Sequence, residues 1–126
     1  MALDRFPMLL QSSHDVALLE IAVRPVRPGG PVRVTVVGEV DALTAGSLHA
    51  ALVGAAHEAG PRRIELDLSG VTFLGSAGVR TLLTGLVAAQ RAGCDLALVA
   101  ASPVAHLALD RCGVLDAFTA PFASAQ

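Results

Sequence analysis

The residues best suited to chemistry in this chain are Gly75-Ser76-Ala77-Gly78. They fall inside Ile64 to Thr81, which reads as a buried strand, a tight loop and the opening of a helix. A turn of small residues at a helix N-terminus exposes free backbone N–H groups together with a hydroxyl. Such a turn can hold an anion, take a phosphoryl group on Ser76, or use Ser76 only as a helix cap. It makes a poor nucleophile elbow, because that motif needs Gly two residues before the Ser and position 74 is Leu. No His–acid pair completes a triad, so a hydrolase built on Ser76 is a remote third choice.

A second candidate is Gly38-Glu39-Val40-Asp41, two carboxylates spaced by one residue after a strand. Paired carboxylates can bind a metal or serve a glycosidase. They can also form a solvated loop whose Asp starts a helix, or an acidic contact for a basic protein. The sequence leaves these readings open. All nine basic residues are Arg, and the absence of Lys removes both the P-loop and the Schiff-base enzymes. The four His, at 14, 49, 57 and 106, have no metal-ligand spacing, so no metal is expected. Cys94 and Cys112 are expected to behave as small buried hydrophobes, and His106 with Asp110 as a solvated pair on one helix.

The elements that must position these groups follow from periodicity. Residues 1 to 14 carry no clear period and are expected to form a flexible extension. Ala17 to Val23 reads as a first strand, Pro28-Gly29-Gly30-Pro31 as a turn, and Val32 to Val37 as a second strand closing a hairpin. Gly38 to Asp41 reads as a loop. Thr44 or Asp41 then caps a helix to about Ala59, with Leu48, Ala51, Leu52, Ala55 and Ala56 inward. Arg63 to Leu68 is a third strand. A second helix starts near Ser76, with Val79, Leu82, Leu83, Leu86 and Val87 inward and Gly93 as its stop. Asp95 to Val99 reads as an inner parallel strand. Ser102-Pro103 opens a third helix, with Val104, Leu107, Ala108 and Cys112 inward and Gly113 closing it. Val114 to Phe118 is expected to add a short strand or turn.

This order predicts an α/β fold, a mixed sheet of four to five strands in which an N-terminal hairpin feeds parallel βαβ units with helices packed on them. The 126 residues suffice for one domain with a real core. With 53% hydrophobic but only 3% aromatic residues, that core must be built from Val, Leu, Ile and Ala. A net charge of −2 offers no field to gather nucleic acid. No apolar run approaches the roughly 20 residues of a membrane span, and Phe6 to Leu10 is too short for a secretory signal, so a cytoplasmic protein is expected.

Three pieces carry a resemblance: V-V-G-E-V-D-A-L-T at 36 to 44, L-D-L-S-G-V-T-F-L-G-S-A-G-V-R-T-L at 66 to 82, and A-S-P-V-A-H-L-A-L-D-R-C-G-V-L-D-A-F at 101 to 118. Over about residues 16 to 120 the chain resembles a STAS domain, in particular the bacterial anti-sigma factor antagonists. The resemblance implies a STAS domain over 15 to 126 and a regulator that is not an enzyme and uses no cofactor. It implies docking on an anti-sigma factor that is also a serine kinase of the ATP-binding kinase-like class, with release of a sigma factor. The implied docking residues are Glu39, Asp41, Gly75, Ser76, Ala77, Gly78 and Arg80. In the family the motif is Asp-Ser-Ser-Gly or Asp-Ser-Thr-Gly, and the kinase phosphorylates the second hydroxyl residue. Here Ala77 stands at that position and Gly75 at the Asp. Phosphorylation is then absent or moved to Ser76 or Thr81. The alternative implied role is an accessory subunit of a lipid-transport or stress-sensing complex. The exposed edge of the hairpin also leaves room for a homodimer.

Overall fold

A computed structural model describes residues 19–59 and 63–119; the expected extension over 1 to 14 lies outside them. Strands β1 (Leu19–Pro25) and β2 (Val32–Val40) form the antiparallel hairpin, in register from Leu19 opposite Gly38 to Pro25 opposite Val32. The turn closes through Val26 N–H donating to the Pro31 carbonyl at 2.8 Å, with Gly29 at φ +76°. Helix α1 (Ala45–Ala59) crosses to β3 (Arg63–Leu74), parallel to β2; helix α2 (Ser76–Arg91) crosses to β4 (Asp95–Ala101), parallel to β3. The strand order is β1-β2-β3-β4, so both crossovers run in one direction and lay α1 and α2 on the same face. Helices α3 (Pro103–Arg111) and α4 (Leu115–Thr119) follow.

Alternation fixes the two faces of the sheet. Val32, Val34, Val36 and Val40 of β2 and Ile64, Leu66 and Leu68 of β3 are buried, in one core with residues of α1, α2, α3 and α4. The opposite face carries Arg33, Thr35, Val37 and Glu39 from β2 and Glu65, Asp67 and Phe73 from β3, none of them buried. Arg33 donates to Glu65 Oε1 at 2.7 Å across the two strands, and this bond raises the Arg33 pKa.

Three sequence expectations are corrected. Gly38 to Val40 and Ser69 to Leu74 are strand, not loop: they pair with each other from Val37–Gly70 to Val40–Leu74. Asp67-Leu68-Ser69-Gly70 has turn chemistry, and Asp67 Oδ1 does accept from Ser69 N and Oγ at 2.9 and 2.7 Å. The strand absorbs it as a register shift between Thr35 and Val37 instead of breaking. Val114 to Phe118 contributes a short helix, not a strand, and the sheet has four strands among the described residues. Val114, Leu115 and Phe118 all reach the core, a three-to-four-residue spacing that only a helix satisfies.

The inward faces of two helices also shift. In α2, Val79, Leu82 and Leu86 are buried as expected, but Val87 is exposed and Gly78, Gly85 and Ala89 are buried. In α3, Ala105 and Leu109 are buried, while Val104, Leu107 and Cys112 are exposed. That is a rotation of about one residue, or roughly 100°. Small residues let these helices approach the sheet and each other closely, so they mark the contact line. Ser102 does cap α3, accepting from Ala105 N at 3.1 Å, with Pro103 next to it. Gly93 and Gly113, at φ +83° and +74°, end their helices as expected. Cys94 is buried; Cys112 is not.

Candidate functional site

The two motifs meet at the C-terminal ends of β2 and β3. Glu39 lies opposite Phe73 and Val40 opposite Leu74. The ladder runs one step further, as Gly75 N–H donates to the Val40 carbonyl at 3.0 Å. The acidic loop and the start of α2 are therefore held side by side by backbone bonds. Because β1 is antiparallel, Leu19 and Glu20 enter the sheet at this same end, opposite Gly38 and Val37.

The acidic loop is locked by Thr44. Its Oγ1 accepts from Asp41 N and donates to the Glu39 carbonyl, both at 2.9 Å. Asp41 Oδ1 accepts from Leu43 N and Thr44 N, both at 3.0 Å. One Asp41 oxygen is thus spent on the turn that leads into α1, whereas Glu39 is exposed. The two carboxylates differ in kind: Asp41 builds the turn after β2, and Glu39 stands exposed near the end of β2 itself. Thr44→Val should remove both hydroxyl bonds and cost about 1–2 kcal/mol; urea denaturation would show it, and an unchanged midpoint would refute it.

At the start of α2 the N-cap is Gly75, in extended backbone with no side-chain cap, so of the readings left open for Ser76 the helix cap is removed. Ser76 is the first helical residue and is exposed; Ala77 is half-buried. The N–H groups of Ser76, Ala77 and Gly78 have no acceptor within the helix, and no acidic residue sits in its first turn. Among the described residues Ser76 Oγ has no hydrogen-bond partner, which leaves it without a general base. No group of three or more metal-capable side chains occurs among the described residues.

Gly78 is buried where α2 crosses the sheet. A Cβ there would lie 2.6 Å from both Leu74 Cδ1 and Val40 Cγ1. Gly78→Ala should gain about 1 kcal/mol of helix propensity and lose about 1–3 kcal/mol to overpacking, a net destabilisation. A lower denaturation midpoint is expected; a higher one would show that Val40 yields freely. Arg80 is exposed, one turn on from Ser76. The predicted residues are thus brought together, with Gly78 serving packing more than contact. Sequence reasoning missed Phe73, Val37 and Leu43, large apolar side chains that are 50%, 43% and 88% exposed beside the motifs. Phe73 falls in the segment that reads as a tight loop, so no periodicity was available to say which way it faces.

A hairpin feeding two parallel βαβ crossovers, with paired strand ends presenting a loop and a bare helix start, defines a small mixed α/β domain. The chain belongs to the STAS domain family: the family model described as "Mlab, STAS domain" matches residues 23–117. No helix among the described residues is long and apolar enough to cross a membrane. Among solved structures it is similar to an anti-sigma factor antagonist from Mycobacterium paratuberculosis, with 28% identity, a TM-score of 0.67, and coverage of 81% of this chain and 83% of that one. It shares its fold with the phosphorylated Bacillus cell fate determinant SpoIIAA, at 20% identity, TM-score 0.57, and 79% and 87% coverage. It also shares it with the antisigma-factor antagonist STAS domain from Rhodobacter sphaeroides, at 19% identity, TM-score 0.54, and 66% and 87% coverage. Comparison with curated proteins gives no match.

Proposed function

We propose that this chain is an anti-sigma factor antagonist that docks on a kinase-like anti-sigma factor and so frees a sigma factor for transcription. The observation that carries the reading is the likeness, in sequence and fold together, to the mycobacterial antagonist. The site supports it chemically: Glu39, Ser76 and Arg80 are exposed around a half-buried Ala77, on two strand ends joined by backbone bonds. On this reading the protein is a binding regulator of the cytoplasm, not an enzyme.

In a switchable antagonist, a phosphoryl group brings about −1.5 to −2 charges to the helix start. The free N–H groups of that helix tolerate the charge, but a partner that must bury it does not. With Ala77 at the acceptor position, this chain lacks the oxygen needed there and stays competent to dock. Its control then lies in its abundance.

The test is to express the kinase-like anti-sigma factors of the same genome, measure each against the chain by calorimetry, and incubate any binder with ATP before intact-mass analysis. The expected result is one binding regulator, no mass gain on the wild type, and one phosphoryl on Ala77→Ser. A stoichiometric gain on the wild type would sink the unswitched reading and point to Ser76 or Thr81. No binding to any of them, together with copurification of a transporter ATPase, would favour the accessory-subunit role.

A further inference from the structure

We propose that Phe73, with Val37 beside it, is an apolar anchor inserted into the docked regulator, so that the interface extends past the loop and helix start onto the open face of the sheet. The inference rests on the antagonist reading and adds to it the chemistry of the regulator's surface: an apolar pocket rimmed by Arg or Lys.

The placement follows from register. Val37 opposite Gly70 and Glu39 opposite Phe73 stand in adjacent rows on the sheet face that the core does not use. Phe73 is half exposed although it is one of only four Phe in the chain. Its ring edge also lies against Gly75: a Cβ there would come within 3.1 Å of Phe73 Cε2. The aromatic thus lies against the N-cap of α2. Val37 lies against Gly70, where a Cβ would meet Val37 Cγ2 at 2.8 Å. The absence of a side chain at position 70 leaves that space to Val37, one row from Phe73 on the same face. Exposed aromatics that enter a pocket dominate protein interfaces.

Charge selects the occupant. Glu20 lies opposite Val37, Glu39 opposite Phe73, and Asp67 on the same face opposite Thr35. Arg24 and Arg33 sit opposite each other at the far end of the hairpin, and Arg33 is engaged by Glu65. The apolar spot is therefore ringed by carboxylates. Such a rim repels an anionic lipid surface. A two-fold dimer through this face would bring two copies of the same acidic rim together, a like-charge arrangement that costs free energy. A protein pocket lined with cations satisfies both features at once.

The experiment uses the full chain and the anti-sigma regulator identified by calorimetry above. Phe73→Ala is expected to weaken binding by about tenfold or more and to leave the thermal midpoint nearly unchanged; Phe73→Leu should restore part of the loss. Glu20→Gln should slow association and flatten its dependence on salt. Wild-type affinity in Phe73→Ala would overturn the proposal while leaving the antagonist reading intact. Loss of a wild-type dimer in Phe73→Ala without loss of regulator binding would assign the patch to self-association and overturn it too. Failure of the wild type to bind any regulator removes both readings.

Discussion

Ala77→Glu is expected to weaken binding of the anti-sigma regulator by more than tenfold while leaving the fold as stable as before, or slightly more so. The two effects have opposite signs for one physical reason. Position 77 lies in the first turn of α2, where no acidic residue now sits and no side chain caps the helix. A carboxylate there meets free N–H groups and the positive end of the helix dipole, worth about 0.3–1 kcal/mol. Ala77 is only half-buried, so the longer side chain has a way out to water in the free protein. In the complex that exit is closed. An uncompensated buried charge then costs well beyond the about 1.4 kcal/mol that a tenfold change represents. Calorimetry and thermal denaturation on the same preparation separate the two terms. Unchanged affinity would put the interface elsewhere; a large drop in the thermal midpoint would mean that the site is part of the core.

Phe118→Ala is expected to cost about 3–5 kcal/mol, a large share of the about 5–15 kcal/mol that holds a domain together. Phe118 is 1% exposed and is the largest fully buried side chain among the described residues. It sits on the five-residue α4, far too short to be stable alone. With Val114 and Leu115, its ring fastens this helix to the shared core. Urea denaturation should give a much lower midpoint at similar slope. A loss of less than about 1 kcal/mol would show that the site collapses around the gap. Phe73→Ala makes the internal control, since the same truncation at a half-exposed ring forfeits little burial.

The element order was legible because it depends on local signals. Pro28-Gly29-Gly30-Pro31, Gly93, Ser102-Pro103 and Gly113 act through backbone freedom and capping, which need no knowledge of neighbours. The helix faces were less legible. A pattern of large aliphatics pointed to Val87, Val104 and Leu107, which are exposed, and passed over Gly78, Gly85 and Ala105, which are buried. In a chain so rich in Ala and Gly, the closest contacts fall where side chains are smallest. Gly85 is the clearest case: a Cβ there would come within 2.5 Å of Leu52 Cδ1 on α1.

The candidate site divides along the same line. The residue types, the missing hydroxyl at 77 and the missing carboxylate at 75 are facts of the sequence alone, and with the family motif they define what chemistry the helix start lacks. The sequence also determined the hairpin, the parallel crossovers and the all-aliphatic core, because alternation and punctuation are written residue by residue. Only the tertiary structure decided that Asp67 to Leu74 continues as strand, since the partner strand β2 supplies the hydrogen bonds that override a local turn. Only it separated Asp41, tied into its turn, from Glu39, left facing water. It alone turned Phe73 outward, because the face a strand residue occupies is set by register with its neighbour, and one bulge reverses it.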